Sequence, residues 1–504
     1  NQRRAATLQR DADWLLDLLY LGTPLGVLLL LSLGRPMLNV KFVLLATPAL
    51  FVLLGRGVIC LALWLGDRLR WDAQRSGRRA ALVIVFVLLA AAPMGYALLG
   101  LYTDPRYYRD DYRAILSYVR ATAGPTDALL VNAPGQMDTV NYYGVGQLPV
   151  YPLPQQRPLD RAATQAELQS LASTHTRLYG IMWGTDESDP ERVVESWLDQ
   201  HCFKTLDSWF GNVRLVVYAV PQQAPAQIGV PLEVTFGEQI QLRGYTLLTP
   251  APTSGDILQL ALHWRSLGFI ERRYKVFVHL LDAQGNIVAQ RDSEPAGDSR
   301  PTNAWAADDA LDDYYGLWIQ PGTPPGSYHL RIGLYDADTG VRLLVAQGAR
   351  ALGDALDLGD LTVQRAPAPA PLAALDLQQT HDICWPSYCL VGHALHRLGY
   401  EHESSLDLHP GDRARLVLFW RTECAPDAST PYSVALERRR GHVVWEQSLM
   451  PPDADGQPCQ PGDILRQIHI LALPTDLEAG AYRLMLRGAD DIASAHLLQE
   501  LRLY

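Results

Sequence analysis

The sequence predicts a multi-domain protein: an α-helical transmembrane segment, then a small α/β domain, then two antiparallel β-sandwich domains. Three observations predict it. Residues 80–101 form an uncharged apolar run preceded by arginines, and about 20 such residues suffice to cross a hydrocarbon core as a helix. Residues 102–221 alternate helical and strand-like periods. Residues 222–504 carry one ordered set of strand motifs twice, the mark of a duplicated domain. Bulk composition conceals this layout. A mean hydropathy of −0.04, 48% hydrophobic residues and a net charge of −11 describe a mildly acidic soluble chain. The acidic balance, with no basic face to offset it, argues against nucleic acid as a partner.

Three helices are expected within residues 1–101, at about 14–33, 42–66 and 80–101. The loop 67–79 holds Arg68, Arg70, Arg75, Arg78 and Arg79, and short basic loops stay in the cytoplasm. The third helix therefore leaves the cytoplasm, residues 102–504 lie outside, and the N-terminus sits inside beside Arg3, Arg4 and Arg10. The first run is not a signal peptide, because no small-residue cleavage site follows it and two further spans do. Arg56, inside the second span, reads as a residue near the membrane interface. Arg35 and Lys41, in the short outer loop, are candidates for binding a lipid phosphate, with snorkelling into head groups as the alternative. The chain opens on Asn1 rather than Met, which suggests a fragment or a processed product.

In residues 102–221, Tyr112, Ile115, Leu116 and Val119 fall at helical spacing behind Asp110 and Asp111. Ala128–Val131 and Arg177–Trp183 read as buried strands, and 165–172 as a helix between them. Asp189 is expected to cap a further helix with Pro190 at its first position. A closing hairpin is expected at Phe203–Phe210 and Val213–Val220, turning at Gly211-Asn212. Ligands in such sheets favour the carboxyl ends of strands, so the loop Asn132–Asp138 is the expected polar pocket, with a turn and helix cap as the plainer reading. No glycine-rich nucleotide loop is present.

Pro36…Val40-Lys41-Phe42 at the head of an apolar run, a basic inner loop, and a last span leading into Tyr107-Tyr108-Arg109-Asp110-Asp111-Tyr112-Arg113-Ala114-Ile115 stand in order. This layout, over residues 14–220, resembles the carboxyl-terminal part of bacterial GT-C membrane glycosyltransferases related to family 39 protein mannosyltransferases and aminoarabinose transferases. Lys41-Phe42 stands where the family has Arg-Tyr, a change that keeps the charge. The resemblance implies transfer of a sugar from a polyprenyl-phosphate carrier to a glycan or protein acceptor, with membrane lipid around the spans. It also implies a catalytic acid in a first outer loop, which this chain does not contain. Arg109, Asp110, Asp111 and Asp138 are then candidate donor or acceptor contacts; capping of a helix is the structural alternative for the acidic pair.

The repeat spans 222–365 and 376–504, joined by a Pro/Ala linker at 366–375. Gly255–Ser266 recurs as Gly411–Thr422, Tyr274–Ser293 parallels Tyr432–Ser448, and Gly326–Leu330 recurs as Gly480–Leu484. Leu258, Leu260, Leu262 and Trp264 share one strand face, as do Leu416, Leu418 and Trp420. Short strands punctuated by turns indicate sandwiches, such as those appended to some membrane glycosyltransferases. Trp305, Tyr314, Tyr315 and Trp318 offer either a sugar-stacking platform or packing. Asp336/Asp338 and Asp453/Asp455 lack a full calcium spacing and read as turns.

Cys384, Cys389, Cys424 and Cys459 fall in the second repeat alone, an even set suggesting disulfides Cys384–Cys389 and Cys424–Cys459. A zinc site using His381 lacks ligand spacing. No catalytic signature of a serine hydrolase, zinc protease or kinase is present, and neither a cofactor nor a metal is evident. A membrane-anchored, non-enzymatic surface protein whose sandwiches bind carbohydrate or protein is the alternative function.

Overall fold

The computed structural model describes residues 2–33, 40–68, 76–103, 110–156, 158–221, 228–385, 388–399, 406–423, 432–439, 441–449, 460–488 and 491–504. The chain divides into two compact units, Asn1–Tyr108 and Arg109–Tyr504.

The first unit is helical: α1 (Gln2–Ser32), the short α2 (Val40–Val43), α3 (Thr47–Arg68) and α4 (Ser76–Thr103). The segments Leu15–Ser32, Leu44–Gly66 and Ala80–Tyr102 are long and apolar enough to cross a membrane. Their leucines point outward rather than into a core, Leu30 being 70% and Leu88 62% exposed. Arg56 is paired. Its Nη1 lies 2.7 Å from Oδ2 of Asp17, so α1 and α3 are tied by an ion pair inside their apolar runs. Pairing is the usual way such a charge is tolerated among apolar helices.

The second unit opens with α5 (Tyr112–Thr122), β1 (Asp127–Asn132), α6 (Met137–Tyr143), β2 (Val150–Pro152), α7 (Arg161–Thr174) and β3 (Arg177–Met182). It continues through α8 (Thr185–Ser188), α9 (Val193–His201), β4 (Phe203–Phe210) and β5 (Val213–Ala219). β1 pairs in parallel with both β2 and β3, whereas β5 runs antiparallel to β3 and β4. Ile115, Leu116 and Val119 of α5 are fully buried against Leu129, Val131, Leu215 and Val217 on one face of this sheet. Leu168 and Leu171 of α7 and Val194, Trp197 and Leu198 of α9 cover the other face. The Asp189–Pro190 cap is not formed as expected. α9 starts three residues later, and the Asp189 carboxylate reaches forward to accept from the amides of Val193 and Val194 at 2.8 and 2.9 Å.

The first repeat supplies β6 (Val230–Phe236), β7 (Ile240–Leu247), β8 (Ile257–Ser266), β9 (Tyr274–Leu281), β10 (Ile287–Ser293) and β11 (Ala310–Trp318). β12 (Gly326–Asp336), β13 (Val345–Gln347), β14 (Arg350–Gly353) and β15 (Leu356–Val363) follow. The second repeat supplies β16 (Gln379–Cys384), β17 (Tyr388–Arg397), β18 (Arg413–Thr422) and β19 (Tyr432–Arg439). It ends with β20 (His442–Leu449), β21 (Ile464–Ala472), β22 (Gly480–Gly488) and β23 (Asp491–Leu503).

The two repeats have the same wiring. Order β6-β7-β8-β11 matches β16-β17-β18-β21, and β10-β9-β12-β15 matches β20-β19-β22-β23. In each, the two sheets face one another across an apolar layer, a sandwich-like packing. Trp264 and Trp420 sit at equivalent points, each 1% exposed. A buried indole N–H needs an acceptor. The first donates to Asp313 at 3.2 Å and the second to Gln467 at 3.1 Å, from matching places on β11 and β21. Tyr328 and Tyr482 likewise donate to carbonyls four residues back, Pro324 and Glu478, the tie known as a tyrosine corner in other sandwiches. Before β8 and β18, Gly255 and Gly411 take φ of 93° and 86°, and Asp256 and Asp412 accept from the amides of Thr253 and His409.

The sequence reading set residues 102–221 apart from the first repeat, yet their strands share one sheet. β4 pairs in parallel with β11 at Lys204 and Tyr315, which joins the α/β strands to β6-β7-β8-β11 in an eleven-stranded sheet ordered β14-β13-β6-β7-β8-β11-β4-β5-β3-β1-β2. Gly316 makes the approach possible: a Cβ there would lie 3.0 Å from the Phe203 carbonyl oxygen and 3.1 Å from Thr205 Cβ. Gly316→Val is expected to force β4 and β11 apart and destabilise the unit by about 1–3 kcal/mol. The urea midpoint of tryptophan fluorescence measures this, and an unchanged midpoint would show that the seam accepts a branched side chain.

Candidate functional site

The acidic pair ahead of α5 is engaged in structure. Asp111 caps the helix, its Oδ1 accepting from the Ala114 amide at 2.9 Å. Asp110 accepts from Trp183 Nε1 at 2.9 Å and from the Asn212 amide at 3.3 Å, so it pins α5 to the end of β3 and to the β4–β5 turn. Asp138 is exposed in the first turn of α6, and Lys41 is exposed on α2. Arg35 and Arg109 lie outside the described residues, as do Cys424, Cys459, Asp453 and Asp455. Cys384 and Cys389 are disulfide-bonded across the β16–β17 turn.

After β1 the chain makes a short 3-10 turn, Pro134–Gln136, and enters α6. Asn132 is 1% exposed; its amide faces Asp189 Oδ2 at 3.4 Å, while Ser188 donates to its carbonyl at 3.1 Å. Of the four aromatics considered for sugar stacking, Trp305, Tyr315 and Trp318 are buried, and Tyr314 packs on Phe203 with ring centroids 5.1 Å apart. They are packing residues, not an open platform. Asp336 binds Arg272 and the amides of Asp338 and Thr339, as a turn does. His381 stacks on His393, with Nε2 and Nδ1 2.8 Å apart. No group of three or more His, Cys, Asp or Glu able to hold a metal occurs among the described residues.

Two features were not anticipated from the sequence. The first is an ionic cluster between α9 and the β4–β5 hairpin. Lys204 Nζ lies 2.8 Å from Asp199 Oδ1 and 3.2 Å from Glu195 Oε1, and Arg214 bridges Glu195 and Asp207. Tyr218 donates to Asp199 at 2.6 Å. Burial raises the Asp199 carboxyl to about 6 against the pull of Lys204, whereas Lys204 and Arg214 together hold Glu195 below its ordinary value despite its burial. The i, i+4 spacing of Glu195 and Asp199 with a lysine nine residues past Glu195 was the signal available in the sequence. No substrate path is needed to explain so fully paired a cluster.

The second feature is a cavity of about 230 Å³ where the eleven-stranded sheet, β10, the linker and the second repeat meet. Thr205, Trp318, Gln290, Arg415 and Arg466 are among its walls. No sequence signal marks it, since its lining comes from six strands and the linker region.

No family model matches the chain, and neither does any curated protein. Among solved structures, the chain is similar to the crystal structure of the C-terminal domain of wzt. That likeness has 13% identity over 31% of this chain and 92% of the other, with a TM-score of 0.22, and it carries no argument about fold or function.

Lys204→Met leaves Glu195 and Asp199 buried without their shared cation, and about 3–5 kcal/mol of stability is expected to go. Chemical denaturation of the variant measures the loss. A change below about 1 kcal/mol would mean that Arg214 alone neutralises the cluster. A pH effect is expected from the second repeat. Burial holds His393 and His469 down to about 4, against about 6.5 in the unfolded chain. Between pH 6.5 and 4 the unfolded chain therefore takes up protons that the fold refuses, and stability falls as pH falls through that window. Asp199 and Asp313, raised to about 6, act in the opposite direction, so the difference between wild type and His469→Gln isolates the histidine. The variant is expected to lose stability less steeply on acidification, as read from urea midpoints at pH 6.5, 5.5 and 4.5.

Proposed function

We propose that this chain is the C-terminal portion of an integral-membrane glycosyltransferase of the GT-C type. It would move a sugar from a polyprenyl-phosphate carrier to an extracytoplasmic glycan or protein acceptor. The observation that carries the reading is the succession of three apolar helices, each long enough to cross a membrane, and a large β-rich unit. In this reading the helices are three membrane passes with the N-terminus inside. Residues 102–504 then lie outside as an α/β domain and two β-sandwich domains. Lys41, exposed at the head of its helix, together with Arg35, meets the carrier phosphate.

Asp110 and Asp111 are committed to hydrogen bonds that position α5, which supports a catalytic acid supplied from a segment preceding Asn1. The same observation favours a second reading, a membrane-anchored surface protein without chemistry of its own, whose β domains bind carbohydrate or protein. Sequencing the source DNA upstream of Asn1 separates the two. Further spans with an acidic outer loop are expected, and membranes carrying the extended chain should transfer labelled sugar from a polyprenyl-phosphate donor while membranes carrying residues 1–504 alone should not. A start site immediately before Asn1 would overturn the glycosyltransferase reading.

A further inference from the structure

The cavity at the junction of the repeats has two unpartnered buried groups in its walls. Thr205, 7% exposed on β4, and Trp318, 4% exposed at the end of β11, both line it. Neither the Thr205 hydroxyl nor Trp318 Nε1 has a hydrogen-bond partner. Leaving such groups buried and unmatched is costly, so each one calls for an explanation. Two guanidinium groups line the same space. Arg415 Nη2 donates to the Ile287 carbonyl at 3.0 Å, and Arg466 Nη1 reaches the next carbonyl, Val288, at 3.5 Å. Arg466 forms no ion pair among the described residues. Burial and the like charge of Arg415 bring its guanidinium down to about 9, against the opposing pull of Asp376 and Tyr328. The one acidic wall residue, Asp376, has a side chain 77% exposed and faces His396 at 3.9 Å. Gln290 and Gln320 complete the polar lining.

We propose that this cavity binds a small oxyanion, a phosphate or a carboxylate, through Arg466, Arg415, Thr205 and Trp318. The chemistry fits the walls: an oxyanion is acceptor-only, while an indole N–H and a guanidinium are donor-only. A guanidinium is the side chain best shaped for phosphate or carboxylate oxygens. The volume of about 230 Å³ exceeds the roughly 30 Å³ share of one water molecule several-fold, so a tetrahedral oxyanion or a carboxylate-bearing molecule of monosaccharide size has room. The proposal rests on this cavity alone and does not depend on the glycosyltransferase reading.

The test uses the full chain in detergent, titrated with sodium phosphate against sodium chloride at matched ionic strength, with thermal unfolding and calorimetry as readouts. A hexose 6-phosphate and a hexuronic acid serve as parallel probes to separate free phosphate from sugar-borne phosphate or carboxylate. Saturable binding of at least one probe is expected, weakened about tenfold or more in Arg466→Gln, as befits loss of a charge-assisted hydrogen bond. Trp318→Phe and Thr205→Val each remove one donor with little change of shape, and a severalfold weakening is expected in both. These two variants keep the proposal testable should Arg466→Gln fail to fold. Absence of saturable binding for all three probes would leave a water-filled cavity and overturn the proposal. Binding equally strong in wild type, Trp318→Phe and Thr205→Val would place the anion elsewhere and overturn it as well.

Discussion

The second unit depends on one seam, where β4 lies against β11. A sheet edge presents a row of backbone donors and acceptors that must be paired, covered or blunted. β4 closes the α/β strands on one side and β11 closes the first repeat's sheet on the other. The two edges meet at a single register pair. The meeting point brings Lys204 opposite Tyr315, and both belong to buried polar groups that hold their strands in place. Lys204 is neutralised by α9 behind it. The Tyr315 hydroxyl donates to Asp313, which also receives Trp264 from β8 and the amide of Ala296. Charge pairing on one side and indole capture on the other thus converge on the same two strands.

The duplicated domain shows what the repeat preserves and what it releases. The buried tryptophan, its acceptor, the tyrosine tied to a carbonyl four residues back and the Gly-Asp turn recur with matching hydrogen bonds. The acceptor itself differs, Asp313 in one copy and Gln467 in the other. Burial holds the Asp313 carboxyl up to about 6 against the pull of the groups that donate to it; an amide does the same work without a charge to desolvate. The edge strands differ more. β11 finds β4, while β21 carries Arg466, whose amide donates to the Gly322 carbonyl in the turn just past β11. The second copy therefore docks on the first through the strand that in the first copy extends the sheet.

Much of this was legible in the sequence, and the reasons are physical. Alternation along Leu258–Trp264 and Leu416–Trp420 reports a strand with one buried face, which needs no tertiary knowledge. The same holds for the 3.6-residue spacing of Tyr112, Ile115, Leu116 and Val119, and for the apolar runs. Pairings between distant elements were not legible. Nothing in Phe203–Phe210 says that its outer edge meets Ala310–Trp318, because edge pairing is made by backbone groups common to all residues. The Asp189 misreading has a similar root: Asp followed by Pro is a good helix start locally, but here the carboxylate reaches past the Pro190-Glu191-Arg192 turn to a helix begun later. The loop after β1 was read as a turn and helix cap before a polar pocket, and what the sequence did not tell is that Asn132 meets Ser188 and Asp189. The junction cavity was invisible for the plainest reason, since Thr205, Trp318, Arg415 and Arg466 stand far apart in the chain.

The shared sheet bears on where this protein can be cut. Residue 221 is the natural place to divide the chain by eye, at the end of an α/β stretch and ahead of a proline-bearing segment. Division there would break the contact of β4 with β11 at Lys204, Tyr315 and Gly316 and uncover both strand edges, each a template for pairing with stray strands. A fragment ending at 221 would be sticky rather than modular, and so would one beginning after it. The second repeat is no freer: Val391, Ala394, Val417, Phe419, Ile464 and Ile468 lie in one apolar cluster with the first repeat's core, so lifting it away would bare apolar surface on both.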